Sequence, residues 1–140
     1  MPEFILSGGP GIEAVEAFNH LDAFTRGYIE ALFFTETSDP ADELAGMTVS
    51  DIHPDTLEAI KRDCVRFQVE NCDCLALAYE GAYDDTSAGR DFWCTRNGHG
   101  VGYWDRLELP QAVQDALTKA AEQWGQTDAY KGDDGFLHLD

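Results

Sequence analysis

Residues 90–106 hold the densest set of side chains that could do chemistry: R-D-F-W-C-T-R, then N-G-H-G, then V-G-Y-W-D-R. A cysteine, a histidine and a carboxylate are the parts of a thiol enzyme, with Cys94 as nucleophile, His99 as base and Asp91 or Asp105 to orient it. His99 with two aspartates would instead supply three ligands to a metal ion. The spacing argues against both. Asn97-Gly98 between runs rich in aromatic and β-branched residues is the strongest short hairpin signal, and in a hairpin Cys94 lies five residues from His99 and points into the core. Three ligands at these spacings would need the hairpin to twist sharply. The expectation is therefore no catalytic residue, no metal and no cofactor, with Asn97 and His99 fixing the turn through hydrogen bonds. Nothing in the chain reads as a phosphate-cradling loop, a serine nucleophile elbow or a paired-carboxylate glycosidase site.

Side-chain alternation sorts the expected hairpin into two faces. Arg90, Phe92, Cys94, Arg96, His99, Val101, Tyr103 and Asp105 share one, whose apolar middle would pack on helices. Asp91, Trp93, Thr95, Gly100, Gly102, Trp104 and Arg106 share the other. There, two tryptophans beside two glycines leave a shallow floor on which a ring or flat ligand could lie. The candidate hairpin surface is thus Asp91, Trp93, Asn97, His99 and Trp104. The alternative is that helices cover both faces and the tryptophans are core.

These residues need elements to hold them. After a Gly/Pro-rich start, residues 13–35 read as one helix with Ala14, Phe18, Leu21, Tyr28 and Leu32 on one side. Turn formers fill 37–52, and Pro54, at a first helical position, opens a helix to Glu80 with Leu57, Ile60, Cys64, Phe67, Asn71, Leu75 and Ala78 along its buried stripe. A loop at 81–89 leads into the hairpin. A third helix over 110–124 buries Val113, Leu117, Ala121 and Trp124 and stops at Gly125. A second hairpin over 128–139 turns through Gly132-Asp133-Asp134-Gly135. The fold class expected is α+β in one domain, residues 1–140, with three main helices packed on a small antiparallel sheet built from two hairpins, residues 90–106 and 128–139. Cys64, Cys72 and Cys74 fall on the second helix, where positions 72 and 74 point roughly 200° apart, so one metal ion cannot collect all three thiols.

Twenty-seven carboxylates face three lysines and six arginines, for a net charge of −18, while 44% of residues are hydrophobic. That hydrophobic share fits a folded core and not a disordered tail. No apolar run approaches the roughly 18 residues that span a bilayer, and no signal peptide is seen, so the expected location is the cytoplasm, with reduced cysteines and no membrane partner. Direct binding to nucleic acid is disfavoured, since few cations are present to displace counterions. The acidity has three readings: solubility or salt adaptation, a basic protein partner, or imitation of DNA. The candidate acidic face is the outer arc of the second helix, Asp55, Glu58, Asp63, Glu70, Asp73 and Glu80, with Arg62 and Arg66 interspersed as i, i+4 partners of Glu58 and Glu70. Averaged over about 7,000 Å² of surface, the net charge is one per roughly 400 Å². Duplex DNA carries about one per 110 Å², so strict mimicry would require carboxylates concentrated on one side.

The stretch from Asp91 to Arg106 resembles D-F-W-x-T-R-N-G-H-G-x-G-[FY]-W-D-R, the shared motif of a family of small, functionally uncharacterised proteins of bacteriophages, prophages and other mobile elements. The likeness extends to Tyr28–Glu36, to Pro54–Asn71 and to Ala129-Tyr130-Lys131-Gly132-Asp133-Asp134-Gly135, most of the chain. The link from Arg106 to Pro110 departs from it, being shorter and poorer in glycine. The resemblance implies no activity and no catalytic residues. It implies a setting in which small acidic proteins act on host machinery such as defence complexes. The expected function is a non-enzymatic acidic interaction protein, an inhibitor or modulator of a basic, nucleic-acid-binding host protein. The alternative is a small-molecule-binding or catalytic domain using Trp93, Trp104 and His99.

Overall fold

A computed structural model describes residues 10–140. Among the described residues, six helices and one two-stranded antiparallel sheet form an α+β architecture that is mostly helical. The helices are α1 (Pro10–Asn19), α2 (Ala23–Glu36), α3 (Pro54–Glu70), α4 (Cys72–Ala78), α5 (Asp85–Arg96) and α6 (Gln111–Glu122). Strands β1 (Ala129–Lys131) and β2 (Leu137–Leu139) close it, and short 3-10 turns occupy Val49–Asp51 and Tyr103–Asp105.

The helix expected over 13–35 is two helices. Asp22 interrupts it in extended conformation and caps α2 by accepting a 2.8 Å hydrogen bond from the Thr25 N–H, one of the orphan donors of a helix start. The helix expected from Pro54 to Glu80 is also two. His53 caps α3, with Nδ1 accepting from the Asp55 N–H, and Pro54 takes the first turn. The break falls at Asn71, whose side chain donates to the Phe67 carbonyl at 2.9 Å. An amide that satisfies the last carbonyls of a helix from the side competes with its continuation.

The largest correction is at 90–106, where no hairpin forms. Asp84 caps α5 by accepting from the Ser87 N–H at 2.9 Å, and the helix absorbs the segment through Arg96. Asn97-Gly98 ends a helix here. Gly98 has φ +69°, its N–H donates to Thr95, and the His99 N–H donates to Cys94. Those are the two bonds of a Schellman cap, which needs the same left-handed residue as a hairpin turn. The chain then returns along α5, and the Tyr103 N–H donates to Thr95 Oγ1 at 3.2 Å. So the three helices and two hairpins expected become, among the described residues, six helices and one hairpin.

Close crossing of α2 and α5 explains two glycines inside helices. A Cβ on Gly89 would sit inside contact distance of the Phe24 carbonyl, and one on Gly27 inside that of the Thr86 carbonyl. With backbones this near, Phe24, Tyr28, Phe67, Phe92, Trp93 and Tyr103 form a core without exposed surface. Phe67 and Phe92 stack at 4.1 Å between ring centroids, and Trp93 meets Tyr28 edge-on at 5.3 Å. Helix α6 buries Val113, Leu117 and Ala121, and Gly125 ends it with φ +73°.

The C-terminal hairpin forms as the sequence indicates, pairing Ala129 with Leu139, Tyr130 with His138 and Lys131 with Leu137. Gly135, with φ +83°, completes its turn. The hairpin docks on the segment before α3, where the His53 N–H donates to the Leu137 carbonyl at 3.0 Å. No helix among the described residues is long and apolar enough to cross a membrane.

Candidate functional site

The side chains of 91–106 mostly hold the molecule together. Asp91 lies on the buried side of α5 with none of its surface exposed. It accepts hydrogen bonds from Arg106 Nε at 2.9 Å, Arg106 Nη2 at 2.7 Å and the Tyr83 hydroxyl at 2.6 Å. Burial pushes the Tyr83 phenol far up, so it stays a donor. Arg106 is held firmly protonated by its bonds to Asp91. Arg96, also buried, donates to the Gly125 carbonyl at 2.8 Å, the Trp124 carbonyl at 3.3 Å and the Tyr28 hydroxyl at 3.2 Å, and lies 3.6 Å from Asp63. One guanidinium thereby joins α5 to α2, α3 and the end of α6. Asn97 reaches back to the Trp93 carbonyl and accepts from the Thr127 N–H, which ties the helix end to the C-terminal hairpin.

The two-tryptophan surface is not formed. A helical period replaces the strand alternation that would have put both indoles on one face. Trp93 is wholly buried and donates to Thr35 Oγ1 at 2.8 Å, whereas Trp104 is 48% exposed on the 3-10 turn. Gly102 is no ligand floor either: a Cβ there would run into Thr95 Oγ1. His99 does not fix the turn through its side chain as expected: it stands 3.8 Å from Glu36 of α2, and its Nε2 is buried without a hydrogen-bond partner. Cys94 is 6% exposed, and burial pushes its thiol up to about 11, the opposite of what a nucleophile needs. Cys64 is raised further by burial, while Cys72 is exposed. Among the described residues, no three His, Cys, Asp or Glu side chains come together as a metal site.

The six residues of the expected acidic face are placed on three separate stretches. Asp55 and Glu58 are exposed near the start of α3, and Glu70 is exposed at its end, engaged by Arg66 at 2.9 Å. Asp63 turns half inward toward Arg96, and burial holds its carboxyl above the ordinary range despite that arginine. Asp73 lies on α4 beyond the break, and Glu80 lies past that helix. The exposed strip of α3 also carries Lys61, Arg62 and Arg66, so its sign is mixed.

Carboxylates gather elsewhere, where the 37–53 segment, the first turn of α3 and the C-terminal hairpin meet. No lysine or arginine occurs between Arg26 and Lys61, and this cation-free run supplies Asp39, Asp42, Glu43, Asp51 and Asp55. The hairpin adds Asp128, Asp133, Asp134 and Asp140. The backbone bond from His53 to Leu137 joins the two halves, as does the Lys131 N–H, which donates to Glu43 at 3.2 Å. All but Asp51 are exposed, and Lys131 is the one Lys or Arg in either stretch. Asp39, Asp42 and Asp51 each accept a backbone N–H from their own loop, which fixes the loop while leaving their charge at the surface. Asp134 is held below the ordinary carboxylate value by the Phe136 N–H and then by His138. The sequence signal for this region is the cation-free run; the hairpin docking that adds four more carboxylates has no local signature.

Comparison with known protein families, with curated proteins and with solved structures finds no match in any of the three.

Proposed function

We propose that the chain is a non-enzymatic acidic interaction protein that docks on a basic, nucleic-acid-binding protein and modulates it. The observation carrying this reading is the set of nine carboxylates in 39–55 and 128–140, two stretches that meet in the fold and hold Lys131 as their one Lys or Arg. A surface so lopsided attracts a basic groove over about a Debye length and steers its approach. Loop hydrogen bonds fix several of these carboxylates, so docking would order fewer side chains and leave more net binding energy. The resemblance to proteins of phages and other mobile elements supports a host target, with defence complexes as one class. On this reading the segment from Asp91 to Arg106 is scaffold.

Competition tests it. The protein would displace duplex DNA from a basic DNA-binding partner at low salt, and displacement would fade as salt rises. Neutralising Asp39, Asp42, Glu43 and Asp133 to the corresponding amides would weaken displacement far more than neutralising Glu58, Glu70, Asp73 and Glu80, although both variants lose four charges. Equal losses would mean that only total charge matters and would remove the case for a dedicated surface.

A further inference from the structure

Two of the chain's nine cationic side chains meet in a cleft on the far side of α5 from its core partner Phe67. Between the C-terminal half of α2 and the segment returning from α5 lies a groove of about 390 Å³, within the range of small-molecule sites. Ala31, Phe34, Cys94 and Val101 supply its apolar surface. Phe34 is 80% exposed and Val101 42%, so covering the groove would remove apolar area from water. Arg90 and Arg106 line it, and both also line a smaller polar recess of about 120 Å³ with Tyr83, Ser87 and Glu108. An apolar trough and a polar recess thus share two guanidinium groups.

Their pairing leaves the arginines able to take an anion. Arg106 spends its Nε and Nη2 edge on the buried Asp91, which orients the guanidinium and leaves the Nη1 donors outside the pair. Arg90 uses Nε and Nη2 on one oxygen of Glu30, and both partners are about half exposed. Such a surface pair is worth little and exchanges readily. Glu30, Asp91 and Glu108 nevertheless keep the local sum of charge below zero, which opposes any anion and a doubly charged one most, so binding rests on the free guanidinium donors together with the apolar trough. We propose that this cleft binds a small amphipathic monoanion, a carboxylate on an alkyl or aryl body, with its head between Arg90 and Arg106 and its apolar part along Phe34 and Val101. The proposal is independent of the acidic end, which lies on other elements.

The test is a titration of the full chain with octanoate, followed through backbone amide NMR shifts, with octanol and octyl phosphate as parallel probes. Octanoate is expected to move amides in 31–34, 90–94 and 101–106 and to saturate with a Kd of about 1 mM or tighter. Arg90→Gln, at an exposed position, is expected to weaken binding at least fivefold, and Val101→Asp to abolish it. Both variants should unfold at the wild-type temperature, so lost binding cannot be lost fold. Shifts that are absent or scattered, or undiminished affinity in Arg90→Gln, would overturn the proposal. Equal affinity for octanol would reduce the site to apolar adsorption, and tighter binding of octyl phosphate would refute the monoanion assignment.

Discussion

Asp91 and Arg106 face each other across the turn between α5 and its return segment, joined by two hydrogen bonds of 2.9 and 2.7 Å. The carboxylate is buried and the guanidinium about one-third exposed. Asp91→Asn leaves the Arg106 guanidinium without its counter-charge and is expected to cost on the order of 2–3 kcal/mol, less than breaking a fully buried pair because Arg106 is partly wetted. The double variant Asp91→Leu with Arg106→Met should recover most of that. Urea unfolding of the three proteins measures it; a single-variant loss within about 0.5 kcal/mol would mean the pair does not hold the segment.

Glycines 27 and 89 invert the usual rule for helices. At an exposed helical site Gly→Ala stabilises by roughly 1 kcal/mol. Here each added methyl would press on a carbonyl of the facing helix, so Gly27→Ala and Gly89→Ala are expected to destabilise, by several kcal/mol where the backbone cannot retreat. Thermal unfolding reads the sign directly, and a raised melting temperature for either would contradict the close crossing.

Acid sensitivity should trace in part to Asp22. Burial opposes its ionisation, but hydrogen bonds from Thr25 and Gln68 outweigh that and hold its carboxyl below the ordinary 3.8. The ionised form is therefore favoured in the fold. Its contribution is present above about pH 4 and is lost as pH falls through the lowered value. Asp22→Ala should cost about 1 kcal/mol at neutral pH as a lost cap, and the gap to wild type should close below pH 3 to 4. A gap constant with pH would show that the carboxylate charge plays no part.

The sequence was most legible where one local rule decides. Pro54 opens α3, Gly125 ends α6 and Gly132–Gly135 turns the last hairpin, each as its type dictates. It misled at 85–96 because the last six residues of that helix, Asp91 to Arg96, are all buried, and turns enclosed on every side show no polar stripe to reveal their period. Asn97-Gly98 reinforced the error, since a left-handed glycine serves a hairpin turn and a helix cap alike. The indole pair disappeared with the strands. The acidic surface was legible as a property and not as a place: charge counting gave −18, but only the docking of the hairpin against Ile52 and His53 sets the Asp128–Asp140 carboxylates beside those of 39–55.

That juxtaposition is best tested by mapping amide shifts while a lysine- and arginine-rich peptide is titrated into the labelled protein at low salt. The shifts should concentrate in 39–55 and 128–140, vanish at high salt and be lost in the variant neutralised at Asp39, Asp42, Glu43 and Asp133. Shifts centred instead on α3 and α4, around Glu70, Asp73 and Glu80, or spread evenly over every exposed carboxylate, would contradict the claim that one end of this molecule is built to meet a basic partner.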